Sequence, residues 1–384
     1  MWKAVASNAL TLFIVVLLFA GGLLIWAKQK YAEPGPLETA ICLRVEPGST
    51  MVGVSRDLGD QEAVRHPLIF RLGARYAEKD DDLKAGSFLL PAHASMEEIV
   101  DLVTRVGRST CGTDVNFRIG IASAELQVRT FDPATGRYEE VLAFDPGTGE
   151  VPAEYAGLMA EPDLRYRVTL AEGVTGWQVV DELKQADFLD GDIAVVPAEG
   201  SLAPDSYEVT PGEEREALLA EMAARQTALL DRLWETRAEG LPLASKEEAL
   251  VLASIVEKET GVPGERRRVA SVFVNRLERG IRLQTDPTVI YGLTMGKAPL
   301  GRGIRQSELA RRTPYNTYQI DGLPPTPIAN PGRASIEAVL NPETTEYLYF
   351  VADGTGGHAF ARSLDEHNRN VARWRAIEAG RGGN

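Results

Sequence analysis

The chain has 384 residues, of which 44% are hydrophobic, and its formal net charge at neutral pH is −14. This length predicts two to three domains, and the apolar share is large enough to form their cores, which excludes a disordered chain. The negative charge argues against a nucleic-acid-binding protein, because a phosphate backbone requires a basic surface.

The first predicted element is a membrane anchor. Residues 9–27 carry no charged side chain and include the apolar run LFIVVLLF, which is long enough to cross a bilayer as one helix. A cleaved signal peptide is the alternative, but the run is long for one and no A-x-A cleavage site precedes Lys28. Lys3 on one side and Lys28 and Lys30 on the other nearly balance, so charge alone leaves the orientation open.

Residues 40–106 are predicted to form a small module of strands and helices. A short strand at Cys42 is followed by two helices and by the apolar run at residues 88–90. Another helix then begins at Ser95, which forms a capping box with Glu98.

Cys42 and Cys111 are the two cysteines of the chain. In an oxidising compartment they would form one bridge that closes a long loop, but two unpaired buried thiols fit the sequence equally well. Two cysteines and four scattered histidines do not predict a metal site, and we expect no metal or organic cofactor.

Residues 107–163 are predicted to be a β-rich element. Apolar and polar residues alternate over residues 115–131, as in a strand. FDPATG at residues 131–136 recurs as FDPGTG at residues 144–149, which is typical of turns between β-hairpins.

The next segment is predicted to support an active domain. RVTLAEGVTGWQVVDEL, which begins at residue 167, indicates a strand, a glycine turn and a helix. Residues 213–239 are rich in Ala, Leu, Glu and Arg at helical spacing, and predict a long helix that packs on the following one.

The start and the end of the following helix are indicated by residues typical of helix termini. Ser245 with Glu248 predicts a capping box at its start, and Gly261 followed by Pro263 predicts its end. Between them the sequence ALVLASIVEKE combines an apolar body with two glutamates at its carboxyl end.

The two glutamates of this helix are predicted to point in opposite directions. At about 100° per residue, Glu259 shares the apolar face with Ile255 and Val256, whereas Glu257 lies on the other side. An apolar wall raises the pKa of a carboxyl, so that it stays protonated and can act as a general acid. The alternative is that Glu-Lys-Glu is only the solvated last turn of a core helix.

Polar and aromatic side chains that could seat a sugar chain cluster in the loops beyond this point. Planar amides and carboxylates bind paired hydroxyls, and aromatic rings stack on pyranoses. Each also has a structural alternative: Asp286 with Pro287 as a helix start, the tyrosines as core, and Asn330 as a turn residue. The candidates are Gln284, Asp286, Tyr291, Tyr315, Asn316, Thr317, Tyr318 and Asn330.

His358, in the motif GTGGHAF, is a candidate for a second catalytic group or a substrate contact. A lone histidine beside a glycine-rich turn is otherwise structural. The motif has neither the spacing nor the strand-to-helix context of a phosphate loop, and no Ser-His-Asp or Cys-His arrangement is evident.

These segments together resemble the YceG-like (MltG) family of endolytic murein transglycosylases. The resemblance is carried, in order, by ASIVEKET, VASVFVNRL, RLQTDPTVIYGL, TPYNTYQIDGLPPTPIANPG and YLYFVADGTGGHAF, and weakly by EGSLAPDSY upstream. It covers most of residues 243–368. The family's catalytic glutamate is the second of the EKE pair, which is Glu259 here, and we predict Glu257, Gln284 and Asp286 as supporting groups.

The residue patterns and this resemblance together predict an α+β architecture with a single transmembrane helix and four further parts. It places the N-terminus in the cytoplasm and the chain beyond about residue 30 in the periplasm. A LysM-like module would either contact glycan or act as a spacer, and the β-rich insertion departs from the family pattern. The predicted divisions are 1–30 (tip and anchor), 40–106 (LysM-like module), 107–163 (insertion), 164–375 (YceG-like catalytic domain) and 376–384 (disordered tail).

The implied activity is endolytic cleavage of the β-1,4 bond between N-acetylmuramic acid and N-acetylglucosamine in nascent strands, with 1,6-anhydro ends. The protein would then terminate glycan elongation. The expected partners are peptidoglycan strands, the inner membrane and synthases of the penicillin-binding type. Two alternatives remain: a hydrolytic muramidase with Glu257 or Asp286 as second carboxylate, and a glycan-binding scaffold without catalysis.

Overall fold

The computed structural model of the protein describes residues 2–105, 109–159 and 164–381. It has the predicted mixed α+β composition. The chain divides into two compact units. The first comprises the residues up to Val115, Val128–Leu142 and Ala153–Arg165, and the second comprises Asn116–Gln127, Ala143–Pro152 and the residues from Tyr166 onward.

The first unit begins with the long helix α1 (Trp2–Ala32). Within it, Thr11–Ala32 has a mean hydropathy of 2.2 and is long and apolar enough to cross a membrane. Its large apolar side chains are exposed, as in Leu18 and Phe19. The structure therefore contains the apolar helix that the sequence predicted.

A small module follows and has the predicted order of strands and helices. Strands β1 and β2 pair antiparallel, and they enclose a core with three helices that includes Leu43, Phe70 and Ile99. The capping box of Ser95 and Glu98 is present. The elements are β1 (Ile41–Val45), α2 (Met51–Asp60), α3 (Pro67–Tyr76), β2 (Gly86–Leu90) and α4 (Met96–Thr104).

Cys42 and Cys111 form a disulfide across 69 positions of sequence. Of the two alternatives that the sequence left open, the structure therefore shows the bridge. Both cysteines belong to the first unit, so the bond ties the module to the start of the following strand.

The β-rich segment contains β3 (Thr113–Ile119), β4 (Ala124–Asp132), β5 (Arg137–Phe144) and the short helix α5 (Ala153–Leu158). FDPATG connects β4 to β5, as predicted, but FDPGTG leads into a 3-10 turn and then α5, so its placement between hairpins was wrong. The two turns use the same chemistry, since Asp132 and Asp145 each accept a bond from the backbone N–H two residues on. The sequence after each turn decides the outcome: an alternating strand sequence in one case and AEYAGL in the other.

After α5 the chain forms β6 (Leu164–Leu170), α6 (Gly176–Leu183), β7 (Leu189–Asp190), β8 (Ser206–Val209) and β9 (Glu213–Glu214). The strand order of the main sheet is β5-β4-β3-β6-β8, and β6 pairs antiparallel with β8. The predicted strand, glycine turn and helix after residue 166 are confirmed. Gly173 has a left-handed φ of 80° in that turn.

The rest of the second unit is mainly helical. Its elements are α7 (Arg215–Glu235), α8 (Lys246–Glu259), α9 (Arg266–Glu278), α10 (Asp286–Thr294), α11 (Gln306–Ala310), α12 (Arg333–Leu340), the antiparallel hairpin β10 (Tyr349–Ala352) and β11 (His358–Ala361), and α13 (Leu364–Arg381). Helix α8 is the centre of this part, because residues 251–256 are all buried. The predicted long helix α7 packs on α8 in one core with α9 and α12.

Residues 376–381 are helical, whereas the sequence predicted a disordered tail from residue 376. Helix α13 continues to Arg381, and Ile377 lies over Gly354 in the β10–β11 turn. A tertiary contact therefore holds a segment whose composition alone predicted disorder. Residues 382–384 and the predicted boundaries at 106–107 and 163 lie outside the described residues.

Candidate active site

Helix α8 places Glu259 as its last residue. The Ser245 side chain caps the helix start by accepting from the Glu248 N–H, while the Glu248 carboxylate accepts from Ala244, one residue before the predicted partner. The chain leaves the helix at Thr260, which is extended. Because residues 251–256 of α8 are buried, the carboxyl end of the helix delivers Glu259 from the core to a loop-lined site.

Glu259 is a carboxyl group without a strong cationic partner. Its Oε1 accepts a hydrogen bond from the Thr285 hydroxyl, and among the residues described it forms no ion pair with Lys or Arg. Burial raises the pKa of Glu259, and the negative charge of Asp286 raises it further, against the lowering effects of Thr285 and His358. These are the conditions that keep a carboxyl protonated.

Thr285 is a site residue that the sequence reasoning missed. It precedes α10, and its backbone N–H donates to Thr317 Oγ1 at 3.0 Å. Thr288 Oγ1 lies 2.9 Å from the same oxygen, so a buried threonine cluster holds the Thr285 hydroxyl against Glu259. The signal was the threonine between Gln284 and Asp286, but a threonine before a helix is normally read as a cap.

Asp286 and Tyr318 come together at the exposed edge of this site. The Tyr318 hydroxyl donates to Asp286 Oδ1 at 2.7 Å. The pKa of Tyr318 is raised by burial, and then by Asp286 and Glu259, which places the phenol near both carboxyls. Gln284 is exposed in a left-handed conformation, with its Oε1 3.5 Å from Arg276 Nη1.

His358 acts electrostatically on Glu259, since its charge lowers the pKa of that carboxyl. Its Nδ1 is 2.8 Å from Glu265 Oε2, and its backbone N–H donates to Glu265 Oε1 at 3.1 Å. Sequence reasoning missed Glu265, which lies six residues after Glu259 in a separate turn. Only the fold brings it to His358.

The two asparagines occupy framework positions. Asn316 is buried and donates through Nδ2 to the carbonyls of Glu308, Leu309 and Arg311. Asn330 is buried and links Leu202 N–H to the Val174 carbonyl. Their polar groups are engaged within the protein, so direct substrate contact stays a prediction for both.

The remaining predicted binding residues also form hydrogen bonds or ring contacts within the protein. Tyr291 is buried, and its hydroxyl donates to Glu199 Oε2 at 3.1 Å. Its ring packs against Tyr315, whose hydroxyl is 2.8 Å from Thr326 Oγ1. Thr317 is fully buried under Thr285. Of the predicted set, Asp286, Tyr318 and His358 interact electrostatically with Glu259, and Gln284 directly precedes Thr285, which donates to Glu259.

Glu257 points to the opposite side of α8, as the helical projection predicted. Its side chain is only 6% exposed, its Oε2 accepts from the Gly332 N–H at 2.9 Å, and its Oε1 is 3.9 Å from Arg266. Glu172 shares this region, where burial and the charge of Glu257 raise its pKa and Arg266 lowers it. Glu257 is therefore held by the framework.

The arrangement suits proton transfer by a single buried carboxyl. A glutamic acid that a hydroxyl holds, beside an exposed carboxylate, a phenol and an imidazole, can donate a proton to an oxygen that enters from the loop side. Within the described part of the chain, no group of three or more His, Cys, Asp or Glu side chains comes together as metal ligands would.

Comparisons with known proteins identify the family of the chain. The model of the YceG-like family matches residues 146–373. An endolytic murein transglycosylase of Bacillus subtilis is 36% identical over 174 residues, 45% of this chain and 47% of that protein. One from Streptococcus pneumoniae is 28% identical over 342 residues, 86% of this chain and 58% of that protein. The chain thus spans about half the length of these curated relatives.

A solved structure of a YceG-like protein from Listeria monocytogenes is 26% identical, covers 86% of this chain and 99% of its own, and gives a TM-score of 0.46. The family match covers more than half of the chain and includes Glu259 together with every side chain placed around it. The chain therefore belongs to the YceG-like family.

Proposed function

We propose that this protein is a lytic transglycosylase that cleaves peptidoglycan strands. The observation that carries the proposal is Glu259, a partly buried carboxyl at the end of α8 whose pKa is raised by desolvation, within the family-matched region. The relatives from Bacillus subtilis and Streptococcus pneumoniae are both named endolytic murein transglycosylases, which supports the same activity here.

The proposed reaction needs only this one carboxyl. Protonated Glu259 gives its proton to the glycosidic oxygen between N-acetylmuramic acid and N-acetylglucosamine, and the C1–O bond breaks. The resulting carboxylate takes the proton from the muramyl 6-hydroxyl, whose oxygen bonds to C1 and forms the 1,6-anhydro ring. The acid is regenerated, and no water is consumed.

Thr285 would orient the carboxyl throughout this cycle, because its hydroxyl donates to Oε1. Asp286, Tyr318 and Gln284 lie at the accessible edge, where we propose that they bind sugar hydroxyls. The negative charge of Asp286 would also favour positive charge that develops at C1.

A membrane anchor is part of the proposal. Thr11–Ala32 is long and apolar enough to span a bilayer, and the Cys42–Cys111 disulfide supports an oxidising compartment for the chain beyond the anchor. We propose that the N-terminus is cytoplasmic, that the module of residues 40–106 is LysM-like, and that the protein ends nascent strands beside penicillin-binding synthases.

Mass spectrometry of the products from un-crosslinked glycan strands tests the reaction. The full chain in detergent is compared with Glu259→Gln and Glu257→Gln. We expect 1,6-anhydromuramic ends from the wild type and from Glu257→Gln, and a loss of about 1,000-fold or more in rate for Glu259→Gln. Glu257→Gln is the matched control, since it changes the other glutamate of the same helix turn.

Two other results would replace the proposal. Reducing muramic ends would identify a hydrolase, in which Asp286 is the nearest candidate for a second carboxylate because its charge acts on Glu259. Binding of strands without cleavage by folded wild-type protein would identify a glycan-binding scaffold.

A further inference from the structure

The turn before α9 and the turn between β10 and β11 meet at one carboxylate. Glu265 Oε2 lies 2.8 Å from His358 Nδ1, and Glu265 Oε1 accepts the His358 backbone N–H at 3.1 Å. Both side chains are largely buried, with exposed fractions of 16% for His358 and 17% for Glu265. A single carboxylate therefore holds the histidine by its backbone and by its ring.

The glycine before His358 makes this contact sterically possible. A Cβ at Gly357 would lie 2.7 Å from Glu265 Oε1 and 3.5 Å from Asp353 Oδ2. Any side chain at this position would have to displace the carboxylate. The close approach of Glu265 thus gives a physical reason for the third glycine of GTGGH, Gly357.

Aromatic rings fix the plane of the imidazole. Phe350 packs edge-on against His358, with ring centroids 5.3 Å apart and an interplanar angle of 87°. Phe360 lies on another side at 6.3 Å. The ring is therefore confined in orientation as well as in position.

A carboxylate next to Nδ1 determines which nitrogen of a neutral imidazole carries the proton. Nδ1–H donates to Glu265, and Nε2 is then left with a lone pair that can only accept. The same carboxylate–histidine logic fixes tautomers in triads and in metal sites. Nothing in the Glu265 contact occupies Nε2.

We propose that Glu265 is a positioning residue that holds His358 as the Nδ1–H tautomer, so that Nε2 accepts a hydrogen bond from a sugar hydroxyl beside Glu259. The inference rests on the proposed function for its substrate, but the tautomer itself does not depend on any activity. It assigns a role to Glu265 and Gly357 and a defined chemistry to His358.

Charged and titratable side chains from several elements surround the pair formed by Glu265 and His358. Glu265 and Asp353 face His358 from the two turns, and Glu259 lies on the α8 side. Asp286 and Tyr318 in turn interact electrostatically with Glu259. Arg268 lies over the face of Phe360, 5.3 Å from its ring centroid.

Nitrogen NMR on the full chain with ¹⁵N-labelled histidine tests the tautomer. The chain has four histidines, and the spectrum of His358→Gln identifies the signal of interest. At a pH where His358 is neutral, the wild type should show Nδ1–H. Glu265→Ala and Gly357→Ala should shift the population toward Nε2–H, which is the tautomer that free histidine prefers.

Glu346→Ala is the matched control, because Glu346 forms an exposed pair with Arg362 and should leave the His358 signal unchanged. A wild-type signal from Nε2–H, or a tautomer unchanged in Glu265→Ala, would overturn the proposal. The wild-type measurement decides this point even if a variant does not fold.

The activity measurement then connects the tautomer to the reaction. Glu265→Ala should lower kcat/KM by about tenfold or more, and should have no further effect in a His358→Gln background. Independent, additive losses would show that Glu265 does not act through His358. If wild-type protein does not cleave glycan, the proposed function is wrong. The NMR measurement still decides the tautomer of His358, because it does not depend on activity.

Discussion

The two glutamates at the end of α8 lie in different electrostatic environments. Glu257 meets a backbone N–H and the guanidinium of Arg266. Glu259, two residues later, meets a hydroxyl and the negative charge of Asp286. The same residue type, on the same helical turn, is thus built into the framework on one side and left without a strong cation on the other.

The difference shows how a carboxyl is assigned to structure or to chemistry. A buried carboxylate with charge-assisted partners stays ionised and is satisfied. A buried carboxyl without them has a raised pKa and retains a transferable proton. Four predictions test whether this contrast is correct.

Removing the cation on the Glu257 side should have the largest effect on stability. Arg266→Met leaves Glu172 and Glu257 buried without it, and should lower the free energy of unfolding by about 3–5 kcal/mol. Because Arg266 lowers the pKa of Glu172, the deficit should shrink at acid pH, where Glu172 becomes protonated. Urea unfolding at pH 5 and pH 7 measures both effects.

Arg268→Met is the control for this variant. Arg268 is 37% exposed and pairs with Glu343, which is 41% exposed, so its loss should cost less than about 1 kcal/mol. Equal losses for the two arginines would mean that the Glu257 side is not a buried charge cluster.

Replacing the two glutamates should change stability in opposite directions. Since the folded pKa of Glu259 is above its ordinary value of 4.5, the folded state retains a proton that the unfolded state has released, and stability falls as pH rises above that value. Glu259→Gln should therefore raise Tm at neutral pH, by about 2–4 °C for each kcal/mol. The gain should vanish below pH 4.5.

Glu257→Gln should instead lower Tm, because it removes the charge that faces Arg266. Thermal unfolding of both variants across pH provides the comparison. A lower Tm for Glu259→Gln at neutral pH would contradict the view that Glu259 is unfavourably buried.

A smaller effect is expected where the backbone approaches the Glu257 side. A Cβ at Gly332 would lie 1.7 Å from Glu172 Oε1, so Gly332→Ala must displace that carboxylate. We expect a loss of about 1 kcal/mol in unfolding free energy. Gly261→Ala, with open space around its Cβ position, is the control and should lose measurably less in the same denaturation series.

The smallest effect concerns the pH profile of the reaction. The charge of Asp286 raises the pKa of Glu259, so Asp286→Asn lowers it, and Glu259 loses its proton at a lower pH. The alkaline limb of kcat/KM should move to lower pH by less than about one unit, because Asp286 is exposed.

Tyr318→Phe removes the hydrogen bond to Asp286 but leaves its charge, and should move this limb less. Kinetics over a pH series compare the two variants. A shift to higher pH in Asp286→Asn would show that Asp286 does not act on Glu259 as a neighbouring negative charge.

Local sequence pattern was sufficient to predict α8 and the opposite directions of its two glutamates. The 3.6-residue period and the terminal signals at Ser245 and Gly261 are properties of a single helix, so no other part of the chain is needed to interpret them. The same holds for the capping box of Ser95 and for the strand and helix that flank Gly173. It did not hold for FDPGTG, where a nearly identical sequence leads to a different element.

The contacts that surround Glu259 required the folded chain. Thr285, Glu265 and His358 are separated from it by 26, 6 and 99 positions, and spacing along the chain does not specify which side chains meet. Spacing also did not distinguish the buried Asn316 and Asn330, whose amides hold backbone groups, from the exposed Gln284 and Asp286. Periodicity identifies the face of a helix because that geometry is local, whereas the partners of a carboxyl depend on packing between distant segments.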